Sequence, residues 1–181
     1  MELHTQRLIL RPVEVSDAKD LHPLINDPDV AANMLNIPYP YPRESFAPWI
    51  RAAREAMEHN ERIEMTIILK ETGLPIGVCS FCQICWDHMN AEIGYWLGKP
   101  YWGNGYMTEA ARRLIEFGFD DLDLNRVYGR CFMSNIASSK VLEKSGLIYE
   151  GCARGEVLKD DKSIDILRFG LTSEEFYCFE D

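Results

Sequence analysis

The sequence predicts an α+β, or mixed α/β, domain built on one central sheet. Three observations predict it. The chain has 181 residues, 46% hydrophobic and 27% charged, which suits a single globular domain with a sizeable core. Segments of strand character come first as a meander, then alternate as strand, helix, strand, helix, strand, strand. Finally, the strand ending at Leu97 runs into a Gly-x-Gly turn that opens a helix. No linker, repeat or low-complexity segment divides residues 1–181, so one domain is expected, with its core over about 8–171.

Leu8 to Val13 reads as the first strand, and Ser16 as the cap of a helix through about Ile25, with Asp17 and Asp20 near its positive end. Pro28 and the alternating prolines of Ile37 to Pro42 suggest a stiff extended connection. A second helix is expected from Ser45, with Pro48 in its first turn, where a missing N–H costs nothing. Ile63 to Lys70 and Ile76 to Gln83 read as strands joined by a turn through Glu71-Thr72-Gly73-Leu74-Pro75, and Ala91 to Leu97 as a fourth. Thr108 to Phe119 has helical spacing, with Ala110, Ala111, Leu114, Ile115 and Gly118 on one face. Arg126 to Phe132 reads as the fifth strand, and Ser138 to Ser145 as a short helix stopped by Gly146. Ile148 to Leu158 and Ser163 to Leu171 should pair across the polar turn Lys159 to Lys162.

Charge and cysteine usage narrow the function. The net charge of −10 argues against broad binding to nucleic acid or anionic membrane, which needs clustered Lys and Arg. No apolar run approaches membrane-spanning length, and the start Met-Glu-Leu-His-Thr-Gln-Arg lacks the pattern of a signal peptide. A cytoplasmic protein with reduced thiols is therefore expected. Cys79, Cys82, Cys85 and His88 imitate metal-ligand spacing. On a strand, however, residues three apart point to opposite faces, so no metal is expected and small apolar packing is the reading adopted.

The stretch from Ala91 to Ala110 carries the most chemistry. In Trp102-Gly103-Asn104-Gly105-Tyr106-Met107, the glycines let backbone N–H groups approach a ligand, and the helix start adds exposed donors with a partial positive charge. Such a turn binds an anion without basic side chains. It is neither a Walker loop nor the dinucleotide fingerprint, because no Gly-Lys-Ser/Thr follows and Thr108 stands where a third glycine would. A second constellation, Asn135-Ile136-Ala137-Ser138, lies where a strand passes into a helix.

Taken together, the chain resembles the GNAT acyltransferase superfamily, and within it the ribosomal-protein N-terminal acetyltransferase (Rim-type) branch. The matching pieces are Thr5 to Pro12 with Asp17, Pro75-Ile76-Gly77, Ala91 to Leu97, Tyr101 to Ala110, Leu124-Asn125-Arg126-Val127, Asn135 to Ser138, Lys144 to Leu147, and Glu150-Gly151. The resemblance spans about Thr5 to Leu171 and implies a mostly antiparallel sheet splayed between its fourth and fifth strands. It implies acetyl-CoA in that gap, with pyrophosphate on Trp102, Gly103, Asn104, Gly105, Tyr106 and Met107. The pantetheine would pair with the strand at Trp96 and Leu97, and Asn135 would contact the pantetheine arm or thioester. Arg112 or Lys140 could meet cofactor phosphates. Two departures stand out: Pro100 replaces the usual Arg or Gln before the turn, and Met107 replaces Gly or Ala. The Tyr that many relatives carry after the Asn is missing, and Ser138 matches the Ser of the Rim-type branch.

The reaction so implied is direct acetyl transfer to a primary amine. Glu92 is the first candidate for general base, with Glu150 and Glu156 behind it. Ser138 is the candidate to protonate the leaving thiolate, and a backbone N–H near Leu97 would stabilise the tetrahedral oxyanion. An α-amino group has a pKa of ~7.7–8.0, against ~10.4 for lysine, so an N-terminal amine needs little help from a base. A protein N-terminus is the first expected acceptor. A polyamine, amino acid or antibiotic amine is the second, and a non-catalytic acyl-CoA sensor is the reading from another class. The segment Asn33 to Trp49 is expected to wall the acceptor site, and the Rim-type branch suggests a homodimer.

Overall fold

The computed structural model describes residues 1–178. Its strands are β1 (Leu3–His4), β2 (Leu8–Pro12), β3 (Ile63–Leu69), β4 (Leu74–Cys85), β5 (Asn90–Leu97), β6 (Arg126–Phe132), β7 (Ile148–Lys159) and β8 (Lys162–Thr172). They form one eight-stranded sheet in the order β1-β2-β3-β4-β5-β6-β8-β7. Every pairing is antiparallel except β5 with β6. The helices are α1 (Ala18–Ile25), α2 (Pro28–Ala32), α3 (Arg43–Glu58), α4 (Tyr106–Asp120), α5 (Ile136–Lys144) and α6 (Ser173–Cys178). The fourth and fifth strands of the sequence reading are β5 and β6, because the short β1 precedes the first strand expected.

The parallel ladder between β5 and β6 runs only from Asn90↔Arg126 to Ile93↔Gly129. Beyond it β5 stays on β4 as far as Leu97↔Gly77, and β6 stays on β8 as far as Phe132↔Ile166. The sheet therefore splits after Ile93, which is the splay the resemblance implied. Gly129 marks the root of the split: a Cβ there would stand 2.6 Å from the α5 side chain of Leu142. Glycine lets α5 sit down against the sheet at that point.

Side chains alternate across the strands, so the sheet has two cores. One face carries Met65, Ile67, Cys79, Phe81 and Ile93 against Ala110, Ala111 and Leu114 of α4. The other carries Val78 and Trp96 against Leu21 and Ile25 of α1 and Phe46 and Ile50 of α3. Full burial of each large apolar side chain is worth about 1.5–3 kcal/mol.

Several expected details change. Ser16 does not cap α1. A 3-10 turn, Val15–Asp17, comes first, with Glu14 and Asp17 forming a reciprocal capping box, because Asp17 is the residue held in the interior. Pro28 is the first residue of α2 rather than part of a connection, and Asp27 caps that helix through Asp29 N–H (2.8 Å). Helix α3 starts at Arg43, which puts Pro48 in its second turn. The buried Phe46, Ile50 and Ala53 hold that helix in spite of the lost backbone bond. Strand β4 is longer than expected and carries a bulge between Phe81 and Gln83, with Cys82 as the extra residue. Helix α4 starts two residues before Thr108, at Tyr106. Helix α5 is capped by Asn135, whose Oδ1 accepts from Ser138 N–H (3.0 Å), so Ser138 lies inside the helix. The hairpin turn is as read: Asp160 and Asp161 both have positive φ, as a two-residue turn between twisted strands requires.

Candidate active site

A cavity of about 740 Å³ opens at the split. It is bordered by Glu92, Trp96, Leu97, Trp102, Gly103, Gly105, Tyr106, Met107, Asn135 and Ser138, all expected from the sequence as site residues. Asn104 does not border it. Its side-chain amide donates to the carbonyls of Tyr101 (3.2 Å) and Trp102 (3.0 Å) and so shapes the turn from behind. Lys140 borders the cavity, whereas Arg112 is spent on tying α4 to α5, its Nε donating to the Lys144 carbonyl (2.7 Å). Met34, Ile37, Tyr41, Phe46 and Trp49 supply a largely apolar wall from the segment expected to flank the acceptor.

The turn is built to present backbone donors. Gly103 and Gly105 have φ of +76° and +78°, and Gly105 is the N-cap residue of α4. L-residues avoid that region. The N–H groups of the first helical turn, Tyr106 to Thr108, lack intrahelical partners and carry the positive end of the helix dipole. The Trp102 indole N–H donates to the Leu97 carbonyl (2.7 Å), fixing the turn against the end of β5.

One contributor escaped the sequence reading. Glu109 of α4 accepts from Thr5 Oγ1 (2.6 Å), from Arg7 N–H (2.8 Å) and from Arg7 Nε (2.7 Å). Arg7 also donates to the Asn104 carbonyl (3.0 Å), and its guanidinium lies 4.5 Å from the centre of the Tyr106 ring. The bend between β1 and β2 thus braces the turn and sets a cation beside it. Partial burial pushes Glu109 up, but the bonds from Thr5 and Arg7 outweigh it and hold the carboxyl below its usual range. The signal for this was present in Thr5-Gln6-Arg7, which no local rule connects to a residue about a hundred positions away.

Of the carboxylates singled out beforehand, Glu92 is at the cavity and the other two are not. Arg130 donates to both Glu92 oxygens (2.9 Å each), and bonds to Glu156 (3.3 Å). Glu150 is paired with Arg126 (2.6 Å) on a separate small recess that also includes Glu92 and Arg130. The cavity also has a buried carboxylate, which the sequence does not single out. Glu64 of β3 borders the cavity and is only 2% exposed. Arg62 donates to it. Burial pushes its pKa up, against the lowering effects of Arg62 and the Ser80 hydroxyl. Ile63 to Lys70 reads simply as a strand, and strand periodicity does not say which of its residues meets a cavity.

A polar pair, Ser138 with Tyr95, joins α5 to β5 at the cavity wall. The Tyr95 hydroxyl donates to the Ser138 carbonyl (3.1 Å) and lies 3.0 Å from Ser138 Oγ. Burial pushes the Tyr95 phenol well above its ordinary range, so it stays protonated. A tyrosine therefore does reach this position, but from β5 rather than from the helix after Asn135.

Burial holds Cys79 and Cys82 in the thiol form. Cys79 is in the α4 core, whereas Cys82 faces the cavity and donates to the Glu92 carbonyl (3.4 Å). Burial pushes the Cys82 thiol up to about 12, helped by Glu92 and Glu64, so it is protonated near neutrality. Among the described residues, no group of three His, Cys, Asp or Glu side chains is placed to hold a metal ion.

Comparison with known proteins agrees with this geometry. The model of the acetyltransferase (GNAT) domain matches residues 7–148. N-acetyltransferase p20 of Bacillus licheniformis, itself uncharacterized, is 33% identical over 174 residues, covering 96% of this chain and 97% of its own. The ribosomal-protein-serine acetyltransferase of Escherichia coli K12 is 35% identical over 103 residues, covering 57% of each chain. The structure of a microcin self-immunity acetyltransferase, MccE, in complex with acetyl-CoA and AMP superposes with a TM-score of 0.85 at 22% identity, covering 93% of each chain; at that identity it speaks to the fold. A sheet split after Ile93, a Gly-x-Gly turn at the head of α4 and a family match across most of the chain lead to one conclusion: the protein belongs to the GNAT acetyltransferase family and is an N-acetyltransferase.

Proposed function

We propose that the protein transfers the acetyl group of acetyl-CoA to the α-amine of a protein N-terminus. The observation that carries the reading is the split itself. Past Ile93 the β5 backbone leaves β6 and borders a cavity that reaches the donor-rich turn at one end and an apolar wall at the other. Pantetheine amides can pair with such a freed strand as an added strand does. The diphosphate then rests on the N–H groups of Tyr106 to Thr108, with Arg7 at its side. Support for acetyl-CoA as the donor comes from MccE, whose structure contains it. Support for a protein acceptor comes from the ribosomal-protein-serine acetyltransferase among the relatives.

Each residue then has a task. Acceptor and cofactor enter from opposite faces, because Glu92, Gly94 and Trp96 face α1 to α3 while Tyr95 and Leu97 face α4. A carboxylate has about four acceptor positions, so Glu92 can hold Arg130 and still meet the incoming ammonium. The neutral amine attacks the thioester carbonyl, and backbone N–H near Leu97 takes the developing negative charge. The Ser138 hydroxyl gives its proton to the departing sulfur and regains one from the acylated nitrogen, while the Tyr95 phenol at 3.0 Å holds it in place. Asn135 caps α5 through its carbonyl oxygen, leaving its NH₂ group for the thioester arm.

The test is CoA release from acetyl-CoA with two acceptor sets: short peptides beginning Ala, Ser or Met, and a panel of polyamines, amino acids and aminoglycosides. Turnover on the peptides alone is expected. Turnover on small amines alone would replace the protein acceptor with a metabolite or drug. Binding of acetyl-CoA without turnover on either set would favour a sensor.

A further inference from the structure

Side chains that share a face line up in rows across paired strands. On the acceptor face one row reads Glu64, Ser80, Gly94, from β3 through β4 to β5. Gly94 is the first residue of β5 beyond the last parallel pair, so the row ends at the mouth of the split. Its lack of a side chain keeps the row open: a Cβ at Gly94 would stand 3.2 Å from Cys82 Sγ and 3.6 Å from Ser80 Oγ. A buried acid costs free energy unless it is paired and used. Glu64 is paired on one side by Arg62, whose own Nε is buried with no hydrogen-bond partner among the described residues. On the other side is Ser80, whose hydroxyl donates to the Gly94 carbonyl (3.1 Å).

Ser80 has one proton to give. With Glu64 ionised, that proton serves the carboxylate. With Glu64 protonated, the acid donates to Ser80 Oγ and the serine proton goes to the Gly94 carbonyl, 3.1 Å away. The chain Glu64–Ser80–Gly94 can therefore take up one proton by turning a hydroxyl, with no buried group left unpaired. Glu64 and Glu92 are the two carboxylates on the cavity wall among the described residues, and Arg130 already holds both oxygens of Glu92.

We propose that Glu64, acting through Ser80, is the proton acceptor for the incoming amine, while Glu92 orients it. The inference rests on the acetyl-transfer reading above. Glu64 and Gly94 are two strand spacings apart, about 10 Å, so Glu64 works through Ser80 and is a positioning residue in that sense. An acceptor arriving as an ammonium carries three N–H protons. One passes through Ser80 to Glu64, and the nitrogen lone pair so freed forms the N–C bond. The C–S bond breaks with its electron pair on sulfur. The second N–H proton ends on that sulfur by way of Ser138, and the third remains on the amide. Glu64 returns its proton to solvent when product leaves.

The charged and titratable groups around Glu64 are few. They are Arg62 on its own strand, Cys79 and Cys82 on β4, the Arg11–Asp17 pair reached through Thr66, and Arg54 of α3 at the Val13 carbonyl. Arg11 and the two thiols are held above their ordinary values and Asp17 below its own, so these four keep their charge state between pH 7 and pH 9. A pH effect in this interval is then read against the acceptor amine and Glu64 itself.

The experiment measures kcat and both KM values for wild type, Glu64→Gln, Glu64→Asp and Ser80→Ala on one active amine, from pH 7 to pH 9. Glu64→Gln should lower kcat about 10–100-fold at pH 7 and leave the acetyl-CoA KM within about twofold. The deficit should shrink to a few-fold at pH 9, where an α-amine of pKa ~7.7–8.0 arrives already neutral. Ser80→Ala should show the same recovery with a smaller deficit, and Glu64→Asp should restore part of the rate. A deficit equal at every pH, or none, in both Glu64→Gln and Ser80→Ala overturns the proposal. If Glu64→Gln does not fold, Ser80→Ala decides. Wild type inactive on every amine would instead remove the acetyl-transfer reading itself.

Discussion

Replacing Asp17 with Asn should destabilise the protein by about 2–4 kcal/mol, and the size follows from four hydrogen bonds. Asp17 is 3% exposed. Its Oδ1 takes Arg11 Nη2 (2.6 Å), and its Oδ2 takes Arg11 Nη1 (2.9 Å), Glu14 N–H (2.9 Å) and Thr66 Oγ1 (2.8 Å). Every partner is a donor. An asparagine has one acceptor oxygen and must turn its NH₂ toward one of these sites, and the least costly choice sets NH₂ against Arg11 Nη2. One charge-assisted bond is then lost, the other three weaken, and a guanidinium loses its counter-charge. Removing one partner of a buried pair costs ~3–5 kcal/mol, reduced here because the Arg11 side chain is 22% exposed and water can reach it. At ~2–4 °C per kcal/mol for a chain of this size, Tm should fall by roughly 4–16 °C. The pH dependence gives a second check. Burial raises the Asp17 pKa, but Arg11, the Glu14 N–H and Thr66 bring it below the ordinary 3.8. Its stabilisation is therefore complete above that value and lost as pH falls through the lower folded-state pKa. Thermal unfolding of both proteins from neutral pH downward should show the gap constant near neutrality and closing in acid. A neutral-pH gap under about 1 kcal/mol, or one that persists unchanged in acid, would refute the reasoning.

Two further outcomes test the cofactor side. Gly105→Ala should cost about 1–2 kcal/mol through its φ of +78° alone, since the new methyl meets only Arg7 Nη2 at 3.6 Å. Calorimetry should show acetyl-CoA binding weakened at least ~10-fold, and an unchanged affinity would mean that the turn does not carry the diphosphate. Ser138→Ala should lower kcat about 10-fold and Tyr95→Phe about 3–10-fold, both with the acetyl-CoA KM unchanged. The double variant should be little worse than Ser138→Ala, because the two hydroxyls act in series. Additive losses would separate their roles.

Much of this architecture was legible in the sequence. Alternation and glycine punctuation placed every long strand, and Gly103-Asn104-Gly105 located the head of α4, because turn chemistry and periodicity are local signals. Element starts were less legible. Ser16, Ser45 and Ser138 each read as the beginning of a helix. Asp17, Pro42 and Asn135 hold those positions, since the first polar residue near a helix start is not always the one that tertiary contacts place there. Pro48 shows the same limit, because burial of Phe46 and Ile50 carries α3 through a proline that local rules would place at its start. The site residues on the turn and at Asn135 were visible as motifs. Arg7, Glu64, Ser80 and Tyr95 were not, because each acquires meaning only from a neighbour on another element: Glu109, Gly94 or Ser138. Glu92 was read correctly as a cavity residue, but its Arg130 partner, which changes what the carboxylate can do, is 38 positions away.

The central claim is direct acetyl transfer within the split between β5 and β6. Its most direct measurement is an initial-rate study with acetyl-CoA and an N-terminal peptide both varied, with tandem mass spectrometry locating the acetyl group on the product. Intersecting double-reciprocal lines and acetyl on the α-nitrogen are predicted, because under the proposed reading one cavity would hold both substrates and burial keeps the Cys82 and Cys131 thiols there protonated. Parallel lines with an acetylated enzyme, or acetyl found only on lysine side chains, would contradict the account.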